Sequence, residues 1–178
     1  MAKKSIVVAV TGGIAAFKSA ALVSRLVQDG FAVRVVMTQA ATKFVGPATF
    51  RALTGQPAVT DLYDGDFSLG AHIEIARDSD LLCVVPATAN FLGKAAGGIA
   101  DDLVSTLYLC FPGPVLVAPA MNVEMWDHVA VQRNISQLVE DGVKFVEPEE
   151  GWLSCRTKGV GRMAEPETIF SSIVDLLK

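Results

Sequence analysis

One uncharged amide, Asn122, stands among sulfur and aromatic side chains in Pro119-Ala120-Met121-Asn122-Val123-Glu124-Met125-Trp126, just past the apolar run Pro114-Val115-Leu116-Val117-Ala118. An amide binds a carboxylate without ionising, and ligands of open parallel sheets sit beyond the carboxyl ends of strands, where this Asn falls. The same residues also read as a plain strand-to-helix turn, with Asn122 as the cap and Met and Trp as core. Thr11-Gly12-Gly13-Ile14-Ala15-Ala16 offers glycines and a hydroxyl at a helix start, where free N–H groups and the helix dipole attract phosphate. Glycine there is equally a tight-turn device. Pro86-Ala87-Thr88-Ala89-Asn90 is small and polar, so a flat ring can approach its backbone while Thr88 and Asn90 offer hydrogen bonds; Thr88 also precedes a helical run and reads as its N-cap. Cys155 ends Gly151-Trp152-Leu153-Ser154-Cys155, a Gly-bounded segment that reads as a mobile flap carrying a proton-donating thiol. His72, alone among apolar neighbours in Ala71-His72-Ile73-Glu74-Ile75, reads first as a structural group, as does His128 at a helix start.

The elements that must position these groups alternate in type. Apolar runs at Ile6–Val10, Ala32–Met37, Leu81–Val85, Pro114–Ala118 and Val143–Val146 read as strands. Between them, Ala15–Gln28, Phe91–Ala96, Asp101–Cys110 and Val129–Glu140 have helical spacing, and Pro166–Leu177 closes the chain as an amphipathic helix. Strands alternating with helices predict an α/β fold with a doubly wound parallel sheet, a flavodoxin/Rossmann-like three-layer sandwich. Residues 44–71 carry Pro47, Gly55, Pro57, Gly65 and Gly70, and there the expectation is short helices and loops. The first loop is not GxGxxG, and the second strand ends in Met37-Thr38-Gln39-Ala40 with no acidic residue, so a dinucleotide fingerprint is not supported.

Composition narrows the partners. With 178 residues, 51% of them hydrophobic, the chain can bury a core as one domain, 1–178, without disulfides. Its three cysteines have neither CxxC spacing nor a nearby His, which argues against a disulfide framework or a metal site and for a reducing, cytoplasmic setting. Cys83 and Cys110 lie in apolar runs and read as inert core thiols. A net charge of -4 gives no reason to expect nucleic acid or an anionic membrane, and the apolar run after Met1-Ala2-Lys3-Lys4 is too short for a span. A small-molecule substrate is the expected partner.

Taken in order, Thr11-Gly12-Gly13-Ile14-Ala15, Pro86-Ala87-Thr88-Ala89-Asn90, Pro119 to Trp126, and Gly159-Val160-Gly161-Arg162-Met163-Ala164-Glu165-Pro166 resemble the flavin-dependent cysteine decarboxylase family. The resemblance covers nearly the whole chain, and Pro-x-Met-Asn-x-x-Met-Trp is its most specific string. In place of the family's Pro-Ala-Ser-Ala-Asn-Thr, this sequence has Thr88 for Ser and Phe91 for the last Thr, a ring where the family has a polar flavin neighbour. The resemblance implies FMN, held by Gly13, Ile14, Ala15, Thr38, Gln39, Ala40, Thr88, Ala89, Asn90, Phe91 and Ala120. It implies His72 as the base in thiol oxidation, Asn122 on the substrate carboxylate, Trp152, Leu153 and Ser154 along the substrate, and Cys155 as the acid that protonates an ene-thiol. The implied reaction is decarboxylation of 4'-phospho-N-pantothenoylcysteine to 4'-phosphopantetheine in coenzyme A biosynthesis, in a homo-oligomer, a trimer or a multiple of trimers up to a dodecamer, with His72 serving a site shared between subunits. Three alternatives share the architecture. Peptide C-terminal cysteine oxidative decarboxylases characteristically lack the flap cysteine, and flavin prenyltransferases lack both the Asn122 string and that cysteine. Non-catalytic regulatory flavoproteins usually carry acidic extensions.

Overall fold

The five apolar runs become strands β1 (Ser5–Val10), β2 (Ala32–Met37), β3 (Leu81–Ala87), β4 (Val115–Pro119) and β5 (Lys144–Phe145). They pair in parallel in the order β2-β1-β3-β4-β5 in the computed structural model, which describes residues 3–178. The helices are α1 (Ala16–Gln28), α2 (Pro47–Thr54), α3 (Ala71–Arg77), α4 (Ala89–Ala96), α5 (Leu103–Cys110), α6 (Val123–Trp126), α7 (Val129–Glu140) and α8 (Pro166–Leu176). Because successive side chains of a strand point to opposite faces, a sheet of this kind needs two cores. Ile6, Val8 and Val10 pack with Leu22 and Leu26 of α1, Phe50 of α2 and Ile169 and Ile173 of α8. Val7 and Ala9 pack instead with Ile75 of α3, Leu92 of α4, Leu107 of α5 and Leu138 of α7. Helices on both faces of a 2-1-3-4-5 sheet make the doubly wound, flavodoxin-like three-layer sandwich that the sequence predicts.

The structure departs from the sequence reading at the hairpin and at Cys110, and bears it out over residues 44–71. Where the sequence reads as a mobile flap, β6 (Glu149–Trp152) and β7 (Lys158–Arg162) form an antiparallel hairpin. Both its strands are largely exposed, so no apolar alternation marks them. Cys110 is not a core thiol: it sits exposed at the end of α5, and only Cys83 is buried. The segment from 44 to 71 does contain a short helix, α2, with Pro47 in its first turn and Gly55 at φ 75 beyond its last. It also sends Val59 to form a lone parallel bridge with Val36 on β2.

The strand order reverses between β1 and β3, and one hydroxyl ties the two carboxyl ends together. Thr11 Oγ1 donates to Pro86 O at 2.7 Å and accepts from the Thr88 N–H at 3.0 Å. At 2% exposed, this hydroxyl is spent on the protein itself rather than kept for a ligand. Thr11→Val keeps the side-chain shape but leaves the Thr88 N–H unpaired and Pro86 O with only the longer bond from the Thr11 N–H, and is expected to cost about 2 kcal/mol. The check is a lower urea midpoint with an unchanged denaturant slope.

Candidate active site

The loops that leave β1, β2, β3 and β4 at their carboxyl ends, with the β6–β7 hairpin across them, enclose a cavity of about 810 Å³. That is room for a ligand the size of a nucleotide plus a small substrate. Gly13, Ile14 and Ala15 form one wall, Thr38, Gln39 and Ala40 a second, Thr88, Ala89, Asn90 and Phe91 a third, and Ala120 and Asn122 a fourth. Trp152, Leu153, Ser154 and Cys155 reach in from the hairpin. His72 is the exception among the residues singled out from sequence. It lies near the start of α3, outside this cavity, with its ring 3.3 Å from where a side chain at Gly70 would begin, and its Nδ1 is buried without a partner.

Several groups serve the fold and the cavity at once. Asn122 caps α6, its Oδ1 accepting from the Met125 N–H at 3.0 Å. The cap reading is observed, and because the cap engages the amide oxygen it leaves the Nδ2 hydrogens as donors toward the cavity. Thr88 caps α4 by accepting from the Phe91 N–H. Phe91 is 3% exposed and packs edge-on against Tyr108 with ring centroids 5.8 Å apart, so its ring belongs mainly to the core. The Gln39 amide is held by Thr60 O at 3.0 Å. His128 has the structural place expected of it, its Nδ1 accepting from the Ala130 N–H at the start of α7.

At the start of α1 no side chain caps the helix, and the N–H groups of Ile14 and Ala15 have no protein acceptor. An anion at that end of the cavity would supply one. Three charged residues that the motifs do not mark also line the cavity, Lys18, Lys94 and Asp102, together with Arg162 of the Gly159–Pro166 string. Lys18 donates to Met163 O at 2.9 Å and pairs with Glu165 at 3.1 Å, and Arg162 pairs with the same carboxylate. The bond from the Lys18 ammonium is the main cause holding the Glu165 carboxyl below its ordinary range. Lys94 lies between Asp101 at 2.6 Å and Asp102 at 2.8 Å; burial works against its charge, yet the two carboxylates hold it above its ordinary value. The signal for Lys18 was its place in the first turn of α1, on the face toward the glycine loop.

Two backbone contacts seat the hairpin over Asn122. Met121 N–H donates to Gly161 O at 3.0 Å. Gly161, at φ 138, leaves no room for a side chain, which would begin 2.3 Å from Met121 O, and one at Gly159 would begin 2.3 Å from Val123 Cγ2. Only glycine accepts both the space and the φ of Gly161.

Fold and cavity together define an α/β protein that binds a small ligand at the switch point of its sheet. Comparison with known proteins narrows this. The Flavoprotein family model matches residues 1–178. The chain is 50% identical over 167 residues to the coenzyme A biosynthesis bifunctional protein CoaBC of Bacillus subtilis (strain 168), covering 93% of this chain and 41% of that protein. It is 43% identical to the CoaBC of Mycobacterium tuberculosis (H37Rv), covering 93% of this chain and 40% of that one. The chain thus spans about two-fifths of the length of these curated relatives. Among solved structures, a cysteine-to-serine mutant of PPC decarboxylase complexed with pantothenoylaminoethenethiol superposes with a TM-score of 0.89 at 30% identity, covering 98% of each chain. The FMN-dependent cysteine decarboxylase SpaF superposes with a TM-score of 0.86 at 36% identity, covering 99% of each. The chain belongs to the Flavoprotein family. Its cavity fits a flavin mononucleotide: unpaired N–H groups at the start of α1 suit a phosphate, and the small side chains of Ala89 and Ala120 suit a flat ring.

The thiols give a direct check on the burial assigned here. Desolvation pushes Cys83 from an ordinary 9.0 up to about 12. Native protein at pH 8 is expected to alkylate at Cys110 and Cys155 and to leave Cys83 untouched until it unfolds, as peptide mass mapping will show. Above about pH 9 the unfolded chain loses the Cys83 proton while the folded chain keeps it, so stability falls as pH rises from 9 towards 12.

Proposed function

We propose that this chain catalyses the FMN-dependent decarboxylation of 4'-phospho-N-pantothenoylcysteine to 4'-phosphopantetheine, a step of coenzyme A biosynthesis in the cytoplasm. One observation carries the reading: a neutral amide donor, Asn122, and a free thiol, Cys155, line the same cavity as an uncapped helix start. The names borne by the CoaBC relatives and by the PPC decarboxylase and SpaF structures support it. Three free cysteines suit a reducing compartment, and among the described residues no helix is long and apolar enough to cross a membrane.

Bound FMN would supply the hydride chemistry at the carbon that carries the substrate thiol. The protein's part is to place groups around that carbon. His72 takes the thiol proton as the carbon is oxidised to C=S. The carboxylate then lies β to a group that accepts its electrons, and CO2 leaves. The Nδ2 hydrogens of Asn122 orient the carboxylate without neutralising it; a Lys or Arg there would stabilise the anion against losing CO2. Cys155 returns a proton to the ene-thiol, and the C=S that results would take back the hydride from bound FMN, completing the thiol. A peptide-cysteine decarboxylase, the reading that the SpaF likeness also invites, would stop at the ene-thiol, and the presence of Cys155 favours the complete reaction.

His72 reaches such a site from a second copy of this chain, in a homo-oligomer of trimers or their multiples. Its place outside the cavity of its own chain supports this, as do its unpartnered Nδ1 and the exposed Leu69 (59%) and Leu109 (49%) close by in sequence to Gly70 and Cys110, which contact it.

Purified protein is expected to be yellow and to release CO2 from the substrate with no net change in flavin redox state. Asn122→Asp should abolish CO2 release while leaving the fold intact, because Asp caps α6 as well as Asn but sets a like charge against the substrate carboxylate. Turnover by this variant at the parent rate would remove Asn122 from its role. His72→Asn and Cys155→Ser chains, each inactive alone, should regain about one quarter of the parent activity when mixed and allowed to exchange subunits, the share of sites that pair two intact contributions. Mixtures that stay inactive would place His72 and Cys155 on one chain.

A further inference from the structure

We infer that Thr157 is a positioning residue for Cys155, holding the thiol for proton transfer and stabilising the thiolate that the transfer leaves; the catalytic part of this rests on the decarboxylation reading above. The tip of the hairpin is a three-residue loop. Leu153 N–H donates to Thr157 O at 2.8 Å, and Arg156 N–H donates to Leu153 O at 2.9 Å. Ser154 and Cys155 thus occupy the two central positions of a tight turn, and Arg156 follows in the left-handed region at φ 68. That is the geometry of a turn closed by a one-residue bulge, a place where glycine is the usual occupant. An Arg there is strained, and the strain has a visible consequence. It bends the chain so that the side chain of Thr157 returns to that of Cys155, with Sγ and Oγ1 3.0 Å apart.

Among the described residues, this hydroxyl alone hydrogen-bonds the Cys155 thiol. In the step after CO2 loss the S–H bond of Cys155 breaks and its proton forms a C–H bond at the ene-thiolate carbon that has lost CO2, leaving a C=S that hydride from bound FMN would then reduce to the thiol. The electrons of the C=C bond make the new C–H bond, a sulfur lone pair of the substrate restores C=S, and the S–H electrons stay on Cys155 as a thiolate. A hydroxyl donating to that thiolate favours the charged form, as any hydrogen bond to an anion does. Thr157 loses no proton in the step. Its role is to make the thiol a readier donor and to keep it pointed along one direction.

The test uses Thr157→Val, which keeps the branched shape, and Thr157→Ser, which keeps the hydroxyl, both in a Cys110→Ser background. The first measurement needs neither flavin nor substrate: the rate of iodoacetamide alkylation at Cys155 across pH. Thr157→Val is expected to displace the profile to higher pH and to slow alkylation about 5-fold near neutral pH, the scale of one hydrogen bond to a developing charge, while Thr157→Ser keeps the parent profile. The second measurement is the ratio of ene-thiol to completed thiol product, which should rise in Thr157→Val and return to the parent value in Thr157→Ser. One common alkylation profile for all three proteins would overturn the inference. A displaced profile together with no CO2 release by the parent protein would instead overturn the decarboxylation reading.

Discussion

Asn122 and Cys155 share a cavity because two glycines bring β7 directly onto the turn after β4, Gly161 against the Met121 carbonyl and Gly159 against the Val123 side chain. Gly159 and Gly161 of β7 rest on Val123 and Met121, at separations that no side chain could occupy, and a backbone hydrogen bond from Met121 to Gly161 fixes the register. Everything the hairpin carries is therefore placed relative to the end of β4. The shape of the cavity is thus inherited from the parallel sheet, the most buried part of the molecule. Second, Thr11 ties the ends of β1 and β3. Third, Lys18 joins α1 to the segment after β7. Loops from distant parts of the sequence hold a common shape through these few short contacts.

The charges around the cavity are arranged with a direction. On the α1 side, Lys18 and Arg162 share a single carboxylate, Glu165. On the α4 side, Lys94 is shared by two, Asp101 and Asp102. An anionic ligand group is drawn to the first side and turned from the second, and the unpaired N–H groups of Ile14 and Ala15 lie on the side that attracts it. Between these poles stands Asn122, an amide whose oxygen is already engaged, leaving only its donor end to face a ligand.

The sequence makes the sheet legible because burial on both faces demands continuous apolar runs, and β2, α1 and α7 fall within a residue of where the pattern puts them. β3 runs on through Pro86 to Ala87, past the apolar stretch that marks it. The hairpin is invisible for the opposite reason: a ribbon exposed on both sides has no apolar face, and the glycines that seat it read as loop. Cys110 misleads because an apolar run records average burial, whereas the last turn of a helix protrudes whatever its composition. The residues along the cavity are found by motif, but the distance of His72 from them is a tertiary fact that no local pattern encodes. Lys18 and Lys94 escape because a charged residue on a helix reads as surface until its partners are known.

The two margins of the parallel sheet are both unsuited to adding a neighbour. β5 has only two residues, and the outer side of β2 is already met by Val59. A new strand would find few free backbone groups at either border, which protects the fold from edge-to-edge aggregation. Association between copies of this chain would therefore rest on surfaces other than the borders of this sheet, and on side-chain fit rather than on strand pairing.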